Sequence, residues 1–246
     1  MSQSINVGLA LVGVFVGTAI GLTVPASAQG QDAFSGPGGA GYFSTGLTYL
    51  TDLNDLNDAL AASGYPESNR AAIAVGGGGY GVLQSRVMIG GEGFGVIVPN
   101  ENSDAREVNY AAGMGFLTIG YQAVNRNGNI VGYPLIGIGG GGSTLAFEHT
   151  GAETFSDVLA DPNRGATLVQ GSLLLQVGGG IELRSEQSAR TGGLFVGLRA
   201  GYVFAPVSGD WAFDEGDELR GGPDSGPSGL FVRLLIGGGG PQRVSR

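Results

Sequence analysis

The chain has no cysteine, and its 12 basic residues include no lysine; every one is an arginine. Without thiols there are no disulfides, thiolate metal sites or cysteine nucleophiles, which suits an exported protein that folds without covalent staples. Charge is scarce at 13% of residues, about half the usual share of roughly 25% in a water-soluble domain. Much of the surface is therefore expected to face something other than water. The charge that remains is acidic, −9 net. That removes the electrostatic basis for nucleic-acid binding, which needs clustered positive charge on the protein.

Residues 1 to 28 contain no charged side chain. Val7 to Val24 is a nearly continuous apolar run, followed by Pro25 and then Ala26-Ser27-Ala28, the small-x-small ending of a signal-peptidase site. The expected organisation is a signal peptide over 1–28, a Gly- and Ser-rich lead over 29–40, a folded region over 41–240 and a tail over 241–246. The 50 glycines lie inside apolar segments without a strict triplet, which excludes collagen and argues against a flexible linker.

The plainest pattern runs from Thr167 to Phe204. One parity carries Val169, Leu173, Leu175, Val177, Ile181 and Leu183; the other carries Gln170, Ser172, Gln176, Glu182 and Arg184. This is a two-residue period with Leu174 out of place. After a polar link over 185–190, Leu194, Val196, Leu198, Ala200, Tyr202 and Phe204 alternate with Phe195, Gly197, Arg199 and Gly201. Similar segments are Gly41 to Leu50, Ala71 to Leu83, Arg86 to Pro99, Val108 to Ala123, Val131 to Glu148 and Gly229 to Gly240. Gln84-Ser85 alone separates the second from the third, which implies a tight hairpin.

Between the first two strands the period changes. Thr51 is placed to cap a short helix in which Leu53, Leu56 and Leu60 share a face, with Asp52 and Asp55 near its positive end and Gly64 and Pro66 beyond its stop. The string Asp52, Asn54, Asp55, Asn57, Asp58 invites a calcium reading but lacks the loop's glycine and places a leucine at a ligand position. It reads as a solvated helix face.

The segments sum to an all-β chain: an eight-stranded antiparallel up-and-down transmembrane β-barrel with a short helix in the first long loop. Links after odd-numbered strands are longer and acidic, and links after even-numbered strands are shorter. In a meander this puts all the long links at one end, a property of bacterial outer-membrane barrels. Closure satisfies every strand edge in hydrocarbon. Eight strands leave an interior only wide enough for side chains, and glycines such as Gly178, Gly180, Gly197 and Gly201 relieve crowding there. On the less apolar parity, Arg86, Glu92, Glu182, Arg199 and Arg233 are expected to pair across the lumen as a structural charge network. Tyr42, Tyr49, Tyr110, Tyr121, Tyr133, Phe147, Tyr202 and Phe204 lie near strand ends, where interfacial girdles form.

In strand count, loop alternation and signal peptide, residues 41 to 240 resemble the small eight-stranded outer-membrane barrels, the group that includes the OmpA transmembrane domain and the OmpX- and OmpW-like proteins. The resemblance implies a bacterial outer-membrane location, contact with membrane lipid, and a structural or interaction role. The chain departs from that group at its end: Gly237 to Gly240 are followed by Pro241 and Gln242-Arg243-Val244-Ser245-Arg246, where an aromatic residue is usual. Some lipid-acting barrels of this size pair a histidine with a serine. His149 is the single histidine, with Ser143 and Ser156 as possible partners, but no oriented acid or oxyanion site accompanies them.

Gly76-x-Gly78-x-x-Gly81 matches a dinucleotide fingerprint formally, yet a strand signal follows it where a helix is required. Asp210, Asp214, Glu215, Asp217 and Glu218 form a shapeless acidic cluster, read as a solvated loop. No catalytic, cofactor or metal role is assigned to any residue. Two functions follow: a membrane-embedded structural or interaction barrel with acidic loops at one end and a filled interior, or an exported soluble barrel carrying an apolar ligand in the lipocalin manner. Facing separates them. Leu173, Leu175, Leu194, Val196, Leu198, Leu234 and Ile236 point outward in the first and line a cavity in the second.

Overall fold

The computed structural model describes residues 38–83, 86–99, 106–126, 129–149, 165–184, 193–213, 219, 222–223 and 225–239. The expected signal peptide, most of the lead, the tail, Ser156 and Asp214 to Glu218 lie outside them, and of His149 only the backbone is described.

Eight long strands alternate direction: β1 (Gly39–Leu50), β2 (Ala71–Val82), β3 (Val87–Ile97), β4 (Arg106–Tyr121), β6 (Ile130–His149), β7 (Gly165–Arg184), β8 (Gly193–Ser208) and β10 (Gly229–Gly239). Two short pieces, β5 (Val124–Arg126) and β9 (Ala212–Phe213), add to the rims of β6 and β7. Each long strand pairs antiparallel with its sequence neighbour, β6 pairs with both β4 and β7, and β1 pairs with both β2 and β10. The sheet therefore closes on itself, and no long strand has a bare edge. The protein is an eight-stranded antiparallel up-and-down barrel.

The alternation of the sequence sets which way each side chain points, because neighbouring residues of a strand face opposite sides of the sheet. Leu173, Leu175, Leu194, Val196, Leu198, Leu234 and Ile236 are all exposed on the outer wall, as are Leu47, Ile73, Ile97, Leu117, Ile136 and Leu183. A cavity for an apolar ligand would need the first seven turned inward, so the lipocalin-like reading does not fit the fold. Strands of 11 to 20 residues exceed the roughly 9 to 11 needed to cross a bilayer. A closed wall of this height with a continuous apolar exterior is a transmembrane barrel of the outer-membrane kind, because closure satisfies its backbone without water.

Leu174, the apolar residue on the polar parity of β7, faces inward and is fully buried. Beside it the register of β7 against β8 shifts between Leu173 and Leu175, a bulge at which β8 carries an extra residue.

The helix α1 (Asn54–Ala62) lies in the link between β1 and β2. Leu53, Leu56 and Leu60 are buried in one cluster with inward residues of the wall, among them Ala72, Val96, Tyr110 and Val203. Its N-cap is Leu53 and no side chain caps it, which corrects the expectation for Thr51. Thr51 Oγ1 instead lies 2.6 Å from the Tyr202 hydroxyl of β8, tying the link to the wall. Asn57, also buried, donates to the Ser68 carbonyl at 3.0 Å and accepts from the Ser68 amide at 2.8 Å. The chain returning to β2 is thereby pinned against the helix.

Candidate functional site in the barrel interior

The polar groups of the lumen collect around two carboxylates. Glu92 on β3 is buried and accepts four contacts from four other strands. Tyr42 of β1 donates to Oε2 at 2.9 Å, Gln176 of β7 donates to Oε1 at 2.8 Å, Arg199 of β8 donates to Oε2, and Arg233 Nη1 of β10 lies 3.7 Å from Oε1. Glu182 on β7, fully buried, accepts from Tyr133 of β6 at 2.9 Å, from Tyr80 of β2 at 2.6 Å and from Arg184 at 2.7 Å. Arg199 joins the halves by donating through Nη1 to Tyr42 at 2.8 Å and through Nη2 to Tyr133 at 3.0 Å.

The register explains why a carboxylate is needed. Arg199 and Arg233 sit directly opposite each other on β8 and β10, where like charges repel. Glu92 reaches both from β3. Aromatic faces supply the rest: the Arg233 guanidinium lies 3.5 Å from the Phe94 ring centre and 4.1 Å from that of Phe231, and Arg199 lies 5.0 Å from the centre of Tyr42. Such cation–π contacts strengthen when desolvated. Two Arg233 nitrogens, Nε and Nη2, have no hydrogen-bond partner, so the rings carry much of its stabilisation.

Glycine makes room for this layer. A Cβ at Gly180, the register partner of Arg199, would stand 2.7 Å from the Tyr133 hydroxyl, and one at Gly78 would stand 2.8 Å from that of Tyr42. Both inward strand positions are left empty so that a tyrosine can cross the lumen. A cavity of about 10 Å³ lies between Tyr42, Tyr80, Tyr133 and Arg199.

Of the five residues expected in the network, Glu92, Glu182, Arg199 and Arg233 face the lumen. Arg86 does not: it is exposed, with φ 77, between β2 and β3. Strand parity does not extend into a turn, so its side chain follows the turn. Gln84 and Ser85 lie outside the described residues, and the Leu83 amide bonds the Val87 carbonyl at 2.8 Å. The network also contains Tyr42, Tyr80, Tyr133, Gln176 and Arg184. Their signal was present, since each lies on the inward parity of its strand. Tyr42, Tyr110 and Tyr133 are buried, whereas girdle residues would face out as Tyr49, Tyr121 and Phe204 do.

Among the other residues weighed, Ser143 is buried, with Oγ 2.8 Å from the Tyr110 hydroxyl. Gly76 to Gly81 lies within β2, so the dinucleotide pattern opens no helix. Asp52, Asp55, Asp58 and Asp210 are exposed at the long-link end. A polar groove of about 290 Å³ runs there along Thr51, Asp52, Asn54, Asp55, Ala205 and Gly226.

No protein-family model matches the chain, and no curated protein matches it. Among solved structures it is similar to Ail, the attachment invasion locus protein of Yersinia pestis, at 12% identity and a TM-score of 0.43, over 81% of this chain and 97% of that one.

Proposed function

We propose that the protein is a closed, non-conducting barrel of the bacterial outer membrane that works through its long acidic loops, with the lumen network as a static brace. The observation that carries this reading is the facing of the wall: apolar residues outward on every long strand, and charged residues inward and joined to one another. Glu92 and Glu182 are engaged by arginine, tyrosine and, at Glu92, Gln176, which supports a structural role over a catalytic one. A cavity of about 10 Å³ is far too small for a hydrated ion, and α1 lies in the same buried cluster as the wall at the long-link end. Both support a filled interior. The exposed Asp52, Asp55, Asp58, Glu67 and Asp210 support an acidic interaction surface at that end.

Single-channel recording in planar bilayers tests the closed state. The protein should insert without stepwise conductance, and Glu92→Ala, which removes the brace, should raise the frequency of brief openings. Steady conductance from the unaltered chain would contradict the reading.

A further inference from the structure

Among the described residues, the two ends of the barrel differ in the sign of their exposed charge. At the long-link end Asp52, Asp55, Asp58, Glu67 and Asp210 are exposed, while Arg70 is half-buried and bonded to Asn54. At the short-turn end, among the described residues, the exposed charged side chains are Arg86 and Arg126. Glu182 is buried and Arg184 folds inward onto it. Exposed Leu83, Tyr121 and Val124 flank the two arginines, so each stands where the apolar belt ends. An arginine there lays its apolar stem along the belt and its head among lipid headgroups.

Arg86 carries a second signal. Its φ of 77 makes it the single non-glycine in the left-handed region among the described residues, a conformation that glycine adopts freely and other residues resist. Its carbonyl accepts from the Gln122 amide at 2.9 Å, so strand pairing holds the turn in this shape. A position suited to glycine nevertheless bears an exposed arginine.

We infer that the short-turn end is a docking surface for the phosphate headgroups of an anionic phospholipid leaflet, engaged through Arg86 and Arg126. Arginine near a membrane surface is drawn to anionic lipid, and the attraction fades with ionic strength. This inference rests on the membrane-spanning reading and adds a lipid preference to it.

The test folds the full chain into phosphatidylcholine vesicles containing traces of spin-labelled phosphatidylglycerol or spin-labelled phosphatidylcholine, and measures how much of each label is immobilised by protein. The unaltered chain should hold phosphatidylglycerol several-fold more strongly at low salt, and the preference should fall toward parity in R86Q/R126Q and at high salt. R86G/R126Q, whose glycine relieves the turn, should fold at least as well and lose the preference equally. Equal retention of both lipids by the unaltered chain, or full preference in the double variants, would overturn the inference while leaving the membrane reading intact. Failure to enter vesicles at all would overturn both.

Discussion

Arg199 and Arg233 face each other across a strand pair and share Glu92 from the opposite wall, so the three residues act as one unit. Removing one partner of a buried ion pair leaves an uncompensated charge and costs about 3–5 kcal/mol. Glu92→Ala should lower the unfolding free energy by that amount in urea titrations of the lipid-embedded protein, whereas adding Arg199→Ala to it should cost much less than the sum of the single effects. Full additivity would show that the groups do not interact. Much of this site was legible from parity alone: Glu92, Glu182, Arg199 and Arg233 stand on the polar side of alternating runs. Arg86 lies just before β3, in a turn where strand parity no longer sets facing. Aromatics near strand ends suggest girdles, Tyr42 and Tyr133 among them; their inward parity, the stronger signal, puts these two in the lumen. Leu174 breaks the alternation because the lumen also has an apolar layer, a buried cluster that includes Phe94 and Phe116.

At the scale of elements, α1 shows how tertiary contacts replace local signals. The leucine spacing of Leu53, Leu56 and Leu60 indicated a buried face, and the structure buries all three. The cap was less legible, since Thr51 is two residues too early and bonds Tyr202 instead. With no side-chain cap, the helix depends on its apolar face and on Asn57. Asn57→Ala leaves the half-buried Ser68 amide and carbonyl without this partner, a loss of about 1 kcal/mol. Hydrogen exchange should accelerate in residues 51–70 while β6 and β7 stay protected. Uniform acceleration through the strands would mean that the link and the wall unfold together, contrary to this account. The short β5 and β9 escaped sequence reading because pieces of 3 and 2 residues carry too little alternation to register and exist only by pairing with a longer neighbour.

For the whole molecule, closure and facing are one fact seen twice. A sheet whose first strand pairs with its last has no long edge to protect, and it can then expose leucine and valine outward only to a solvent that accepts them. Leu198, half exposed on β8, should tolerate other apolar residues. Leu198→Arg should cost about 2–4 kcal/mol if the site lies near the bilayer midplane, read as a drop in urea midpoint in vesicles, whereas a water-exposed site would show almost no change. The absence of native cysteine permits a direct reading of facing. A fluorophore on a single cysteine at Leu198 or Leu234 should be quenched strongly by lipids brominated along their acyl chains, and one at Asp58, exposed at the long-link end, should not. Absence of quenching at Leu198 and Leu234 would contradict the claim that the apolar side of this barrel faces lipid.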